Sequence, residues 1–295
     1  MSATENLAAE VIHLTNPSLS SSPSAYRIAT SQTQHRLNIL QAWFGDLDAA
    51  KTSLNGKTLL EIGCGQGDTT VALAWAVGPT GKVIAIDQAP LEYGAPETLG
   101  EAQQRISRSS PLGGRIEWIR ADPVEAVVAD PKLRTVDYIV LAHSLLYMKS
   151  GGYVAELFRA LHVDVPPSGL GSDGLGSSPK LLIAEWGMRV SRESARAHLY
   201  AVQAQAARPL ISGNVQLYLE PEMVLEVATN AGWRREREVW IVSPDMDDGA
   251  WEVAATRSMS VDGDAGGVAR RYLEEMERVV SGSVKCMDVW TAVLQ

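Results

Sequence analysis

The chain has 295 residues, a formal net charge of −9, 45% hydrophobic residues and 21% charged residues, as expected for a folded protein with a substantial core. Its acidic balance disfavours a nucleic-acid partner, because phosphate binding requires clustered Lys and Arg, and no apolar run approaches the roughly 18 residues of a membrane span. Two cysteines, Cys64 and Cys286, provide no disulfide framework, and the N-terminus lacks a secretory pattern, so we expect a cytoplasmic protein.

The N-terminal region divides into two parts. Residues 1–25 are rich in Ser, Thr, Ala and Pro, which predicts a poorly ordered segment. From 26 to 47, apolar residues recur at helical spacing, which predicts a helix covering the approach to the first strand. We therefore expect a flexible N-terminus and helical cap over 1–54, followed by one domain over 55–295.

Strand and helix patterns alternate through the first half of this domain. Strands are predicted at 57–62, 82–86, 115–120, 136–142 and 180–186, and helices at 68–77, 97–108 and 151–162. Such alternation predicts a largely parallel sheet with helices on both faces. Residues 164–179 combine Gly, Pro and Ser, which predicts a mobile surface loop inside the domain.

The pattern becomes less regular after the fifth strand. Helices are predicted at 191–208, from Pro221 to Gly232 and within 264–282, and strands at 233–242 and 283–294. Residues 188–219 interrupt the alternation, and we expect this insertion to lie on the substrate side of the domain.

A glycine-rich motif follows the first predicted strand, and it reads Glu61-Ile62-Gly63-Cys64-Gly65-Gln66-Gly67-Asp68. Its glycines permit positive φ and let a ligand approach the backbone at a helix N-terminus. The third glycine comes one residue too early for the dinucleotide fingerprint, and Asp68 stands where that fingerprint has its last glycine. A carboxylate there would repel a pyrophosphate, so the motif favours a ligand with a positive charge.

The pattern E-x-G-x-G-x-G after a Leu-Leu strand resembles motif I of the class I methyltransferases, which use S-adenosyl-L-methionine. The resemblance covers roughly residues 55–295. The residues 32–37 and 143–147 are also similar to fungal small-molecule methyltransferases. The resemblance implies an α/β fold with a doubly wound, mostly parallel seven-stranded sheet and a last strand that inserts antiparallel.

The same resemblance assigns the cofactor to the ends of four strands. The cofactor-binding residues are then Glu61, Gly63, Cys64, Gly65, Gly67, Asp87, Gln88, Asp122 and His143. In this family the acid after strand two, here Asp87, accepts the ribose hydroxyls, and the acid after strand three, here Asp122, accepts the adenine amine. Either acid could instead cap a helix N-terminus, Glu61 could brace the glycine turn, and Cys64 is also expected to be a small buried residue.

Catalysis needs a base only if the acceptor must lose a proton, and histidine is suited to that role near neutral pH. His143, just past strand four, is the candidate base, although it could equally pack against the adenosine. His198 is the second candidate, whereas a surface position is expected for His35. The acceptor is expected to contact Tyr26, Tyr147, Trp186 and His198. Tyr26 and its neighbour Arg27 could also close over the cofactor as a lid.

We therefore expect a methyltransferase that acts on O or N of a small organic molecule in secondary metabolism, without a metal. The alternative is a methyltransferase-like protein that binds the cofactor without methylating, either as a metabolite binder or as a catalyst of a rearrangement. A nicotinamide oxidoreductase is disfavoured by the glycine spacing and by Asp68. An RNA methyltransferase is disfavoured by the acidic balance. The expected partners are the small-molecule acceptor alone, with no nucleic acid or membrane, and the chain is expected to be a monomer or a homodimer.

Overall fold

The computed structural model describes residues 3–16, 22–95, 97–162, 178–208, 214–259 and 267–295. Its strands are β1 (Thr58–Ile62), β2 (Lys82–Asp87), β3 (Ile116–Arg120), β4 (Tyr138–Ala142), β5 (Lys180–Trp186), β6 (Arg235–Ile241) and β7 (Val289–Leu294). They form one seven-stranded sheet in the order β3-β2-β1-β4-β5-β7-β6. Strands β1 to β5 are parallel, and β7 lies antiparallel to both β5 and β6. The predicted fold class is confirmed, including the antiparallel last strand.

The helices surround this sheet. They are α1 (Ala3–Thr15), α2 (Pro23–Phe44), α3 (Leu47–Leu54), α4 (Asp68–Ala76), α5 (Leu99–Ser109), α6 (Pro123–Ala129), α7 (Gly151–Leu161), α8 (Arg196–Ala206), α9 (Pro221–Asn230), α10 (Asp248–Arg257) and α11 (Gly267–Val279). Helix α10 was not predicted from the sequence, and it carries residues of the site described below. Its weak amphipathic pattern explains the omission, because helices are recognised in sequences by their apolar periodicity.

Residues in the middle strands of the sheet are buried, whereas residues in edge strand β6 are largely exposed. Nearly every residue of β1, β4, β5 and β7 is buried, as expected for strands that are covered on both faces. Edge strand β6 instead has the sequence REREVWI and exposes its first four residues. Charged side chains on an edge strand oppose pairing with another chain, so this edge of the sheet is protected from aggregation.

The prediction of poor order over residues 1–25 is wrong for the part that forms α1. Ala8 and Val11 of this helix are fully buried. Glu10 accepts a hydrogen bond from the indole of Trp75 on α4 at 3.3 Å. An apolar helix face that is buried against neighbouring helices gains enough stabilisation to be ordered, although composition alone suggested a solvated tail.

Helix α2 forms the predicted helical cap, and it is anchored on the sheet. The indole of Trp43 donates a hydrogen bond to the carbonyl oxygen of Ile183 on β5 at 2.9 Å. The helix packs against α4 and across β6 and β7. This position brings the polar residues Gln32, His35 and Arg36, all buried, to the carboxyl ends of the central strands, where ligands bind in open α/β sheets.

Two of the predicted segments are only partly described. The loop predicted to be mobile at 164–179 lies outside the described residues, except for 178 and 179. The insertion predicted at 188–219 contains α8, which packs against α10 and α11, while residues 209–213 lie outside the described part. The division at residue 54 remains a prediction.

Candidate functional site

Residues 63–67, the glycine turn, connect β1 to α4 and have the backbone conformation expected from their sequence. Gly63, Gly65 and Gly67 all have positive φ, at +76°, +53° and +98°. A Cβ atom on Gly63 would lie 2.5 Å from Cβ of Ser144, and one on Gly67 would lie 2.7 Å from the ring of Trp118. A Cβ on Gly65 would meet no atom within 4 Å. Gly65 therefore faces open space, where a ligand could approach the backbone.

Asp87, at the end of β2, holds this turn in place. One of its carboxylate oxygens accepts a hydrogen bond from the Gly65 amide at 2.8 Å, and the other accepts from the Ala89 amide at 2.8 Å. The side chain is half-buried, and the following residue, Gln88, is exposed. Carboxylate lone pairs that are not used by these amides remain available to ribose hydroxyls, so the predicted role of Asp87 is compatible with its position.

Glu61 lies behind the turn, is 2% exposed, and has no hydrogen-bond partner on Oε2 among the described residues. Burial raises the pKa of Glu61 to about 8, and the nearby Arg36 guanidinium acts in the opposite direction. A buried carboxyl oxygen without a partner suits a cationic ligand, which would favour the ionised form of Glu61. The open face of Gly65, the spare oxygen of Glu61 and the carboxylate of Asp87 together fit a cofactor with a ribose and a cationic amino-acid end.

Cys64 and Asp122 have structural roles in addition to any contact with a cofactor. Cys64 is buried, and burial raises the pKa of its thiol, so it is an unreactive side chain, as expected. Asp122 caps α6 by accepting from the Val124 amide at 2.9 Å and also accepts from the Tyr153 hydroxyl at 2.8 Å. Burial acts to raise the pKa of Asp122, but these hydrogen bonds and Lys149 outweigh it and hold the pKa below its ordinary value. Binding of the adenine amine by Asp122 stays a prediction.

His143 has a strained backbone and a short contact with a second histidine. Its φ is +53°, a conformation that is uncommon for residues other than glycine and that often marks functional positions. Its Nε2 lies 2.8 Å from Nε2 of His35, so that one ring donates a hydrogen bond to the other. Its Nδ1 lies 3.5 Å from Oε1 of Glu185. We refer to His35 and His143 as the histidine pair.

The expectation that His35 lies at the surface is wrong, because α2 turns this side chain towards the sheet. His35 is 2% exposed, and its Nδ1 has no partner among the described residues. Burial, followed by the proximity of His143 and Arg36, lowers the pKa of His35 well below its ordinary value. The ring is therefore neutral near pH 7 and carries a lone pair that can accept a proton.

Trp186 gathers three histidine rings around its indole. Ring centroids lie 4.5 Å from His143, 4.7 Å from His198 and 6.3 Å from the parallel ring of His35. His198 is fully buried, its Nδ1 accepts from the Met287 amide at 3.2 Å, and its Nε2 has no partner among the described residues. Burial, aided by His143, lowers the pKa of His198 to about 3. With Nδ1 occupied, His198 can offer a hydrogen from Nε2, which makes it a donor and not a base.

Polar residues that the sequence analysis did not identify complete the acceptor side. The amide of Gln32 donates to Asp248 at 2.5 Å, and the hydroxyl of Tyr147 donates to Glu252 at 3.4 Å. Of the described contacts, none joins Tyr26 to these residues. We call the following set the acceptor cluster: Gln32, His35, His143, Tyr147, Trp186, His198, Asp248 and Glu252.

One sequence signal could have identified part of the acceptor cluster. Gln32, His35 and Arg36 are spaced i, i+3 and i+4, so they share one face of α2. All three are buried, whereas a polar helix face is usually solvated. The spacing alone does not indicate a site, because it also occurs on exposed helix faces. Asp248 and Glu252 are likewise spaced i and i+4, but they lie on helix α10, which the sequence did not predict.

Within the described residues, no group of three or more His, Cys, Asp or Glu side chains is arranged to hold a metal ion. None of the described helices combines the length and the apolar composition needed to cross a membrane.

Comparisons with known proteins agree with this geometry. Residues 59–164 match a family model described as a methyltransferase domain. The chain is 25% identical to methyltransferase phomM from Diaporthe leptostromiformis, with 92% of this chain and 85% of that protein covered. It is 26% identical to the crystal structure of a cyclopropane-fatty-acyl-phospholipid synthase-like protein from Lactobacillus casei, with full coverage of both chains and a TM-score of 0.78. The structure of the cyclase SpnF shares the fold at 16% identity and a TM-score of 0.51, over 91% of this chain and 81% of that one.

The matched region contains the glycine turn, Asp87, Asp122 and His143. Residues 59–164 therefore form a methyltransferase domain, and the fungal relative and the fold support the predicted S-adenosylmethionine-dependent methyltransferase. The predicted family, enzyme class and cofactor are confirmed. The individual roles of the site residues remain predictions.

Proposed function

We propose that this methyltransferase transfers a methyl group to an O or N atom of a small organic molecule held beside the histidine pair. The observation that carries this proposal is the 2.8 Å contact between His35 and His143, next to the glycine turn. A Cβ on Gly63 would clash with Ser144, so the residue after His143 packs directly on that turn. Cofactor and acceptor would thus meet at the ends of β1 and β4.

S-adenosylmethionine, when bound, supplies a methyl group that its sulfonium has already activated. Since the methyl is already activated, the main task of the protein is to hold the reactants in line, which can contribute about 7–11 kcal/mol. The glycine turn, Glu61 and Asp87 would hold the cofactor. The face of Trp186 would stabilise positive charge near the reacting atoms by cation–π attraction.

The histidine pair would remove a proton from the acceptor. His35 is held neutral by burial, and its Nδ1 is free to accept. A proton taken there could be passed through the contact between the two rings, and Glu185 would stabilise the resulting imidazolium. Glu185 is fixed for this role, because its oxygens accept from the backbone amides of Leu145 and Trp186, each at 2.9 Å.

A binding experiment with S-adenosylhomocysteine tests the cofactor half of the proposal without knowledge of the acceptor. We expect saturable binding by the wild type in calorimetry and at least roughly tenfold weaker binding by Asp87→Ala. Asp137→Ala is the matched control, since Asp137 also accepts from a backbone amide, that of Thr58, but at the opposite end of the sheet. Equal losses in both variants would contradict a specific role for Asp87.

Consumption of the cofactor separates methylation from the alternative function. Transfer of a radiolabelled methyl to small amines, alcohols, phenols or acids would support the proposal. Saturable binding of S-adenosylhomocysteine without transfer to any class would favour a metabolite binder or a catalyst of a rearrangement. The fungal methyltransferase relative is consistent with a role in secondary metabolism, which we include in the proposal, together with a cytoplasmic location and a monomeric or homodimeric state.

A further inference from the structure

One part of the acceptor cluster, formed by Gln32, Asp248 and Glu252, contains more hydrogen-bond acceptors than donors. We call these three residues the polar wall. Glu252 receives hydrogen bonds from the Gln205 amide at 2.5 Å and from the Tyr147 hydroxyl at 3.4 Å. Asp248 receives one from Gln32 at 2.5 Å. Both carboxylates are half-buried, and 39% of the Tyr147 surface is accessible, so solvent reaches these side chains.

Neither of these carboxylates forms an ion pair with another described residue. The neighbouring Asp247 is the residue that pairs with Arg27, at 2.6 Å. Burial and then Asp248 raise the pKa of Glu252. Desolvation, followed by Glu252, Glu185 and Asp248, raises the pKa of Tyr147 well above its ordinary value. Both shifts arise first from desolvation and then from neighbouring negative charge.

A second observation is independent of the carboxylates. Gln32 is 8% exposed, and its side chain reaches Asp248 from α2, yet its Oε1 has no partner among the described residues. A buried acceptor without a donor destabilises the folded chain by about 1–3 kcal/mol, so such atoms usually have a partner in the functional state. The missing partner is a group that carries an N–H or O–H donor.

We infer that the acceptor is an amine, and that its protonated form is recognised by Glu252, Asp248 and Oε1 of Gln32. This inference rests on the proposed function and specifies its substrate class. An ammonium group carries up to three donors and one positive charge, which matches the three acceptor groups of the wall. Phenolates and carboxylates would be repelled by the same wall.

Methylation of an amine also accounts for every proton, bond and charge at this site. The ammonium gives one proton to the histidine pair and becomes a neutral amine with a lone pair. That lone pair forms the new N–C bond while the C–S bond breaks and its electron pair stays on sulfur. The product nitrogen is positively charged, so the carboxylates stabilise the charge that develops on nitrogen in the transition state.

The test measures binding of three small probes of similar shape to the protein saturated with S-adenosylhomocysteine. The probes are benzylamine, benzyl alcohol and benzoate, since the aromatic side chains of the acceptor cluster suit an aryl group. We expect saturable binding of benzylamine in calorimetry, with Glu252→Gln and Asp248→Asn each binding it roughly tenfold more weakly. Asp247→Asn is the matched control, and it should leave benzylamine affinity within about twofold of the wild type.

Several results would overturn the inference. These are the absence of benzylamine binding, equal or tighter binding of benzyl alcohol or benzoate, and unchanged benzylamine affinity in both acidic variants. Affinity for S-adenosylhomocysteine reports whether each variant is folded, because Glu252 and Asp248 are not among the residues proposed to bind the cofactor, which are Glu61, the glycine turn and Asp87. Methyl transfer to an alcohol with no preference for amines would overturn this inference and leave the proposed function intact. A failure to bind S-adenosylhomocysteine would instead contradict the cofactor half of the proposed function.

Discussion

The two halves of the site are built from different kinds of contact. In the cofactor half, which comprises Glu61, the glycine turn and Asp87, backbone amides make the main hydrogen bonds, such as those of Gly63 and Cys64 to the Ile86 carbonyl at 2.8 and 3.2 Å. In the acceptor cluster, side chains from separate elements contact one another. Backbone contacts fix the shape of the cofactor half whatever ligand is present.

The acceptor cluster contains several buried polar atoms without partners among the described residues, including Gln32 Oε1, His35 Nδ1 and His198 Nε2, whereas the cofactor half contains Oε2 of Glu61. Side chains with free donors and acceptors can exchange partners when a ligand arrives, whereas a turn closed by its own amides cannot. The difference suggests a constant cofactor and an acceptor site that can change by substitution of single residues.

The largest effect is expected from the histidine pair. We expect His143→Asn to lower the rate of methyl transfer by about 10²–10⁴-fold, since Asn tolerates the positive φ but cannot take the proton. If the two rings act as a unit, His35→Asn should have a similar effect, and the double variant should be little slower than the slower single variant. Initial rates with any acceptor that the wild type methylates provide the measurement. Multiplicative losses, or normal rates in either single variant, would contradict a shared role.

Glycine substitutions should separate stability from cofactor binding. Gly67→Ala places a Cβ 2.7 Å from the Trp118 ring at a φ of +98°, so we expect it to reduce the free energy of unfolding by about 2–4 kcal/mol. Gly65→Ala meets no protein atom within 4 Å, so it should cost only about 1 kcal/mol of stability. Its Cβ would enter the ligand space, and affinity for S-adenosylhomocysteine should fall at least roughly tenfold.

Gly114→Ala serves as the control for both variants, because its Cβ would also meet no atom within 4 Å and it lies outside the glycine turn. Denaturant unfolding and calorimetry provide the two measurements. If Gly65→Ala bound the analogue as tightly as Gly114→Ala, open space at Gly65 would not be ligand space.

The smallest effect concerns the pH dependence of stability without cofactor. Burial raises the pKa of Glu61 from 4.5 to about 8, so between these values the folded chain holds a proton that the unfolded chain has released. The free energy of unfolding therefore falls as pH rises through this window. We expect Glu61→Gln to gain stability relative to the wild type between about pH 6.5 and pH 8, by no more than about 2 kcal/mol.

Denaturant unfolding of the wild type and Glu61→Gln at several pH values measures this difference. A difference that does not change with pH would mean that Glu61 is ionised in the folded chain throughout. Addition of S-adenosylhomocysteine should reduce the difference, because a cationic amino-acid group beside Glu61 favours its ionised form.

The cofactor half could be predicted from the sequence because its signals are local. The glycine turn follows β1 directly, and Asp87 comes 20 residues after Gly67 at the end of the next strand. The strand and helix alternation similarly gave the parallel sheet. Resemblance to a known family was needed for the antiparallel position of β7, since periodicity contains no information on strand order.

The acceptor cluster could not be predicted in the same way, because its contacts join distant parts of the chain. His35 and His143 are 108 residues apart, Gln32 and Asp248 are 216 apart, and Tyr147 and Glu252 are 105 apart. No local pattern indicates which of many polar side chains will meet once the helices pack. His143 and Trp186 were identified because they follow or end a strand, whereas His35 and Glu252 lie within helices.

The most direct test of the account asks whether the transferable methyl lies beside the histidine pair. Isotope-filtered NMR of the protein with S-adenosylmethionine carrying a ¹³C-labelled methyl would detect nuclear Overhauser contacts between that methyl and nearby protons. We expect contacts to the ring protons of His143 and Trp186, with the His143 contacts absent in His143→Asn. Contacts to other residues alone, with the His143 and Trp186 rings silent, would contradict the placement of the reaction in the acceptor cluster.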